Sequence, residues 1–325
     1  MRLREKINIG YKIIRARLLN AGFPLLVGWS LTNRCNLSCV YCGRGNLEVR
    51  ELKAQDIFSI IDKLKVLGTK MISFTGGEPL LRDDIGDIIS YTRDSGIYAN
   101  MNTNGILFVE KIGELKNLHS VKFSLDGPEE VNDFIRGKGT FKKVLEGVKA
   151  AKASDIAVSI VTVLSKYNLG HIDYLVKFAE DLDAGILFQP LTLNLLSSSI
   201  INTHIPDELE YRVAIDRLIK HRNNSKSILS TKEELGYLRN WPKGKNITCY
   251  ARKISCRIET DGYLYHCGRR QDRATAFSCL DDSVEKAFGS LACVSCNRCW
   301  CALRLKTNYI ASLSPIAIRS AFERL

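Results

Sequence analysis

Cys35, Cys39 and Cys42 place three thiols within eight residues, in a C-x-x-x-C-x-x-C run. Three thiolates so close together can wrap one inorganic cluster, and a four-iron cube with three protein thiolates keeps one iron open. An open coordination position is the mark of a metal centre that does chemistry on a bound group. A structural zinc site is the other reading of such a run, but zinc wants a fourth ligand and no histidine lies nearby. The turn Gly76-Gly77-Glu78-Pro79 follows the next apolar run. Its two glycines allow close backbone approach, and Pro79 fixes the turn.

A second set of cysteines lies far along the chain. Cys249 and Cys267 bracket two short β runs joined at Asp261-Gly262, a hairpin signal that brings both thiols together. Cys293, Cys296, Cys299 and Cys301 then form overlapping C-x-x-C pairs, any of which completes four-thiolate ligation. Cys256, inside the hairpin, and Cys279, standing alone, read as small buried hydrophobes. The alternative for either is a hydrogen donor that quenches a substrate radical.

These features together resemble the radical S-adenosylmethionine (radical SAM) superfamily. The resemblance rests on the cysteine spacing, Tyr41 just before the last cysteine, and the Gly76 to Pro79 turn. It implies a catalytic 4Fe-4S cluster on Cys35, Cys39 and Cys42, with S-adenosylmethionine chelating the open iron. Cleavage then gives a 5'-deoxyadenosyl radical that abstracts a substrate hydrogen. The resemblance also implies that Gly76, Gly77 and Glu78 receive the methionine amino group. Ser124 and Arg136 would meet ribose or carboxylate, Asn102 and Asn104 would line the same rim, and Leu191 and the backbone of Tyr41 would meet adenine. An external electron donor such as flavodoxin or ferredoxin follows from the same chemistry. The run from Cys249 to Cys267 resembles the SPASM and twitch extensions of this superfamily. It implies at least one auxiliary 4Fe-4S cluster, on Cys249, Cys267, Cys293, Cys296 and Cys299. The five-residue gap of the full seven-cysteine SPASM layout is not kept, which favours one auxiliary cluster over two.

The positioning elements are legible in the patterning. Six apolar, β-branched runs (Leu25 to Leu31, Met71 to Phe74, Tyr98 to Met101, Val121 to Leu125, Ile156 to Leu164, Ile186 to Phe188) alternate with helical patterns. One such pattern is Ile57, Ile60, Ile61 and Leu64, spaced for a single apolar stripe. Repeated strand–helix units specify an α/β fold with a parallel sheet, and periodicity alone leaves a barrel and an open doubly wound sheet both standing. The resemblance implies the barrel: a partial, TIM-like (β/α)6 core with a small cysteine-rich module. The loops that follow the strands then share one rim, where ligands bind in such folds.

The expected division is a basic amphipathic helix over 1–24, the core over 25–200, a helical bridge over 201–245, the cluster module over 246–305 and a basic tail over 306–325. In the first segment Leu3, Ile7, Tyr11, Ile14 and Leu18 would share a face, expected to cap the barrel; contact with an anionic membrane surface is the alternative. The chain has 325 residues, 47 Lys and Arg against 35 Asp and Glu, and a formal charge of +12. This bias suits acidic partners, but no helix-turn-helix or aromatic platform is present to read nucleic acid, so none is expected. Eleven cysteines, gathered in two regions of a chain without a signal peptide, point to ligation in a reducing cytoplasm. The expected substrate is a peptide or small metabolite, with a lipid or sugar at a membrane surface as the alternative. A non-catalytic iron–sulfur carrier or sensor is the competing class.

Overall fold

Each apolar run that ends in turn chemistry becomes a strand. The computed structural model describes residues 7, 10–15, 22–42, 49–193, 202–268, 273–291, 296, 298–316 and 318–319. Strands β1 (Leu26–Thr32), β2 (Met71–Gly76), β3 (Tyr98–Thr103), β4 (Ser120–Ser124), β5 (Ala157–Leu164) and β6 (Gly185–Pro190) pair in parallel, each with the next. Helices α1 (Ala54–Val66), α2 (Ile85–Asp94), α3 (Glu129–Arg136), α4 (Thr140–Ala153) and α5 (Ile172–Asp181) lie between them. From β1 to β6 the strand order is monotonic, with no point at which it reverses. Right-handed crossovers in a monotonic order put every helix on one face, so the sheet curls as part of a barrel and the doubly wound alternative falls away.

Alternation along the strands sorts side chains between two environments. Val27, Trp29, Ile72, Phe74, Ala99, Met101, Val121, Phe123, Ile160, Ile186 and Phe188 face the helices and belong to the main core. The expected stripe Ile57, Ile60, Ile61 and Leu64 is the buried face of α1. The opposite face carries Gly28, Ser30, Ser73, Thr75, Asn100, Asn102, Ser120, Lys122, Ser124 and Ser159. A barrel interior is ordinarily filled with branched apolar side chains; here polar and small residues predominate on the middle of β1 to β4, while Val161, Val163 and Leu187 keep the β5–β6 side apolar.

The segment expected as a bridge holds α6 (Glu208–His221) and α7 (Lys232–Leu238). Thr231 and Glu234 form a full capping box at the start of α7. Between these helices the chain runs alongside β6, where Ile186 N–H donates to Ser227 O and Leu229 N–H to Ile186 O. The cysteine-rich module is welded to the core. Its strand β7 (Ser255–Ile258) pairs in parallel with β1, and β8 (Tyr263–Tyr265) and β9 (Phe277–Ser278) extend the same sheet, which has nine strands. Helix α8 (Val284–Gly289) follows.

Two boundaries differ from expectation. The division at 305/306 cuts through a helix, α9 (Ala302–Ala311), whose Leu305, Asn308 and Ala311 are buried. The segment reads as a basic tail because the charges of Arg304 and Lys306 mask a stripe that is only ten residues long. Near the start, Ile7, Tyr11 and Ile14 are exposed, while Ile13 packs with Leu25, Tyr250, Ile254 and Ala311. The segment does dock on the body, through Ile13 and through Lys12 Nζ donating to Gly68 O, but with a different face; Leu3 and Leu18 lie outside the described residues. Among the described residues no helix is long and apolar enough to cross a membrane.

Candidate active site

The cysteine loop leaves the end of β1 and is laced to the turn that leaves β2. Gly77 N–H donates to Thr32 O and Glu78 N–H to Arg34 O, each at 2.8 Å. A β-carbon on Gly76 would lie 2.1 Å from Thr32 O, and one on Gly77 would lie 2.1 Å from Arg34 O. Gly76 also sits at φ +150°. The close approach expected of the two glycines is therefore spent first on the chain that carries Cys35. Thr32 and Arg34 both bond Glu51, anchoring the loop from the other side.

Glu78 is fully buried and points inward. One carboxylate oxygen accepts from Leu80 N–H and Thr103 Oγ1, the other from Asn104 N–H. It thus ties the turn to the end of β3. Burial outweighs these hydrogen bonds and pushes its carboxyl up to about 7. Asn104 completes the link, with Nδ2 at 2.7 Å from Asn36 Oδ1 and 3.9 Å from Cys35 Sγ.

A second clamp holds the middle of the loop. Arg136, at the end of α3, forms an ion pair with Asp126 at 2.8 Å, and both are buried. Its Nη2 donates to Tyr41 Oη, which in turn donates to Asp126 Oδ2. Val40 N–H donates to Ile135 O. Arg136, expected to meet a cofactor carboxylate, is thus occupied by a carboxylate of this chain. The backbone O of Tyr41, expected at adenine, accepts from Asn202 Nδ2 at 3.2 Å. Leu191 is buried beyond β6, and Ser124 and Asn102 face the concave side.

The first three thiols act on one another electrostatically: Cys35 and Cys42 both raise Cys39, and Cys42 raises Cys35. Burial is the larger cause for both and pushes the Cys39 thiol up to about 11, against the pull of Arg136. Among the described residues no three His, Cys, Asp or Glu side chains stand close enough to hold a single metal ion. In the C-terminal module the electrostatics again link the expected ligands: Cys249 with Cys267 and Cys296, and Cys299 with Cys301, Cys249 and Cys296. Cys299 is buried, its N–H donates to Tyr237 Oη, and Asn308 Nδ2 lies 3.5 Å from its sulfur. Cys293 lies outside the described residues. Cys256 and Cys279 are fully buried in the core, and Cys256 sits on the helix-facing side of β7, opposite Val27. Packing accounts for both; neither faces the concave side with Arg257.

Asp126, Asn202, Glu51 and Lys122 were not singled out in the sequence. Asp126 lies in the Ser-Leu-Asp-Gly stretch and could have been paired with Arg136 by charge. Lys122 was visible as a single charge inside an apolar run. Asn202 carries no local signal.

Residues 29–179 match the Radical SAM superfamily, from within β1 to within α5. That stretch of the chain is a radical SAM domain. It is 32% identical over 206 residues to an Fe-coproporphyrin III synthase of Methanosarcina barkeri, covering 61% of this chain and 51% of that protein. It is 28% identical over 258 residues to the mycofactocin maturase MftC of Mycolicibacterium smegmatis, covering 75% of this chain and 64% of the relative. The chain thus spans about half the length of the first relative and under two thirds of the second. The fold is shared with Streptococcus suis SuiB bound to S-adenosylmethionine (TM-score 0.68, 18% identity, 85% of this chain and 68% of that one).

Two outcomes test this geometry. Gly77→Ala should destabilise the protein by ~1–3 kcal/mol in denaturant unfolding, because its β-carbon meets backbone that cannot move aside. Gly113→Ala, with nothing within 4 Å, should be near neutral. Because the folded carboxyl of Glu78 is raised, its contribution to stability is fully present below the ordinary glutamate range and is lost as pH rises through about 7. Glu78→Gln should therefore flatten the fall in stability between pH 5 and 8, read by thermal unfolding at each pH.

Proposed function

We propose that this chain is a radical SAM enzyme that modifies a peptide or small metabolite, with Cys35, Cys39 and Cys42 holding its catalytic 4Fe-4S cluster. The observation that carries the reading is the docking of the Gly76 to Glu78 turn along the backbone that leads into Cys35. An electron carrier or sensor gains nothing from a turn held so tightly beside its cluster. When bound, the cluster and S-adenosylmethionine supply one-electron cleavage of the sulfonium and a 5'-deoxyadenosyl radical that takes a substrate hydrogen.

The residues of the chain do the positioning. The 76–78 turn offers backbone carbonyls to the methionine amino group, while the buried Glu78 side chain keeps that turn in register with Asn104. Ser124 and Asn102 supply polar contacts from β4 and β3. Asp126, Arg136 and Tyr41 hold the loop between Cys39 and Cys42 against α3, so Arg136 serves the cofactor by fixing its ligands. Burial of Cys39 and Cys35 favours neutral thiols, which iron binding must overcome by taking up the thiolates.

Cys249 and Cys267, with two of Cys293, Cys296, Cys299 and Cys301, make up the four-thiolate ligand set for an auxiliary 4Fe-4S cluster in a SPASM- or twitch-like module. Substrate in the concave interior would lie between the two sets. A flavodoxin or ferredoxin is the fitting electron donor, and the cytoplasm the fitting compartment. A peptide substrate is supported by the likeness to a mycofactocin maturase, and a metabolite by the likeness to an Fe-coproporphyrin III synthase.

Iron and sulfide per chain after anaerobic reconstitution test the proposal. About eight irons in the wild type should fall to about four when Cys35, Cys39 and Cys42 are changed to Ala. The reduced wild type should form 5'-deoxyadenosine from S-adenosylmethionine and the variant should not. Zinc in place of iron, or an iron-loaded wild type that leaves S-adenosylmethionine intact, would overturn the reading.

A further inference from the structure

The concave face holds one charge that nothing described here balances. Lys122 is the central residue of β4, with Val121 and Phe123 on either side buried among the helices, so its side chain enters the interior. It lies on a cross-strand row in register with Asn102, Ser159 and Gly185. Ser30 and Thr75 pair on the adjoining strands. All six positions are small or polar. Below them, Gly28, Ser73, Asn100 and Ser120 form a second such row.

Two features make this a built site rather than a wet gap. The Ser73 hydroxyl is buried and has no hydrogen-bond partner among the described residues, and an orphaned buried hydroxyl costs free energy unless something meets it. Arg257, from β7, crosses Gly28 and donates through Nη2 to Ser30, bringing a second cation to the same interior. Arg257 is balanced by Glu259 at 2.8 Å. Among the described residues Lys122 has no hydrogen bond and no acidic neighbour, and burial alone lowers its ammonium to about 8. At neutral pH it is still mostly protonated, a half-buried and partly desolvated cation that an incoming anion would stabilise.

Lys122 also sits two residues before Ser124 on the same face, so it is ~6–7 Å further from the rim. A group reaching Lys122 must pass below the position of Ser124. We propose that Lys122 anchors a carboxylate of the substrate, with Ser159 beside it, so that the molecules modified by this chain carry an acid group in the barrel interior. This rests on the radical SAM reading above. It adds the substrate's chemical class and the residue that selects it.

Competitive labelling of lysines in the reconstituted wild-type protein tests this without a known substrate and without a variant that must fold. Acetic anhydride modification of each lysine is followed by peptide mass spectrometry, with and without additives. Succinate, or a short peptide containing Glu, should slow labelling of Lys122 at least fivefold, while succinamide and the matching Gln peptide should not. Protection by succinate alone marks a free acid as the source, and protection by the peptide alone marks an acidic side chain; either supports the site. Equal protection by S-adenosylmethionine with none from the other carboxylates would assign Lys122 to the cofactor and overturn the proposal. So would no protection by any carboxylate. Formation of 5'-deoxyadenosine, measured separately, reports on the radical reading, so failure of one leaves the other readable.

Discussion

The site depends on a steric constraint: two strands of backbone run closer together than any side chain would allow. Where the chain leaves β2 it lies directly on the chain leaving β1, hydrogen-bonded at 2.8 Å and separated by nothing bulkier than a hydrogen atom at Gly76 and Gly77. That contact fixes the entrance to the cysteine loop relative to the sheet. Everything else at the rim is arranged around it. Glu78 reaches across to β3, Asn104 reaches back to Asn36 and Cys35, and Glu51 holds Thr32 and Arg34 from outside.

A second constraint is electrostatic. Asp126 and Arg136 are both removed from water, which is tolerable only because each meets the other and Tyr41 satisfies part of what remains. Taking away one member would leave a buried charge without compensation, so the three residues act as a unit. The unit joins the end of β4, the end of α3 and the loop before Cys42, three segments far apart in sequence. The loop is thereby specified at both ends, by backbone packing near Cys35 and by a buried ion pair near Cys39.

The six strands were legible because each is an apolar run closed by turn residues, and the stripe of α1 because its spacing has one period throughout. Curvature was not legible from periodicity; it follows from strand order, which is a property of pairing. The attachment of β7 to β1 was hidden for a similar reason, since Ser255–Ile258 is four residues long and gives no clue to its neighbour. At the site, spacing located the thiols and the glycine turn because local geometry is written in local sequence. The role of Arg136 was harder to see, because a planar cation suits a carboxylate equally well whether it belongs to a ligand or to Asp126. Lys122 was overlooked inside a strand whose apolar residues explain the strand and say nothing of the face between them.

The attachment of the C-terminal module has one more consequence. A sheet that stops at six strands exposes two rows of unpaired backbone groups, which invite other chains to add on. Here β7 covers the outer edge of β1, and the segment around Ile228 covers part of the edge of β6. The far margin of the extended sheet is β9, only two residues long. The same coverings that deny a foreign strand also deny the two ends of the sheet to each other. The curl is held open at both margins, and the sheet stays a partial barrel.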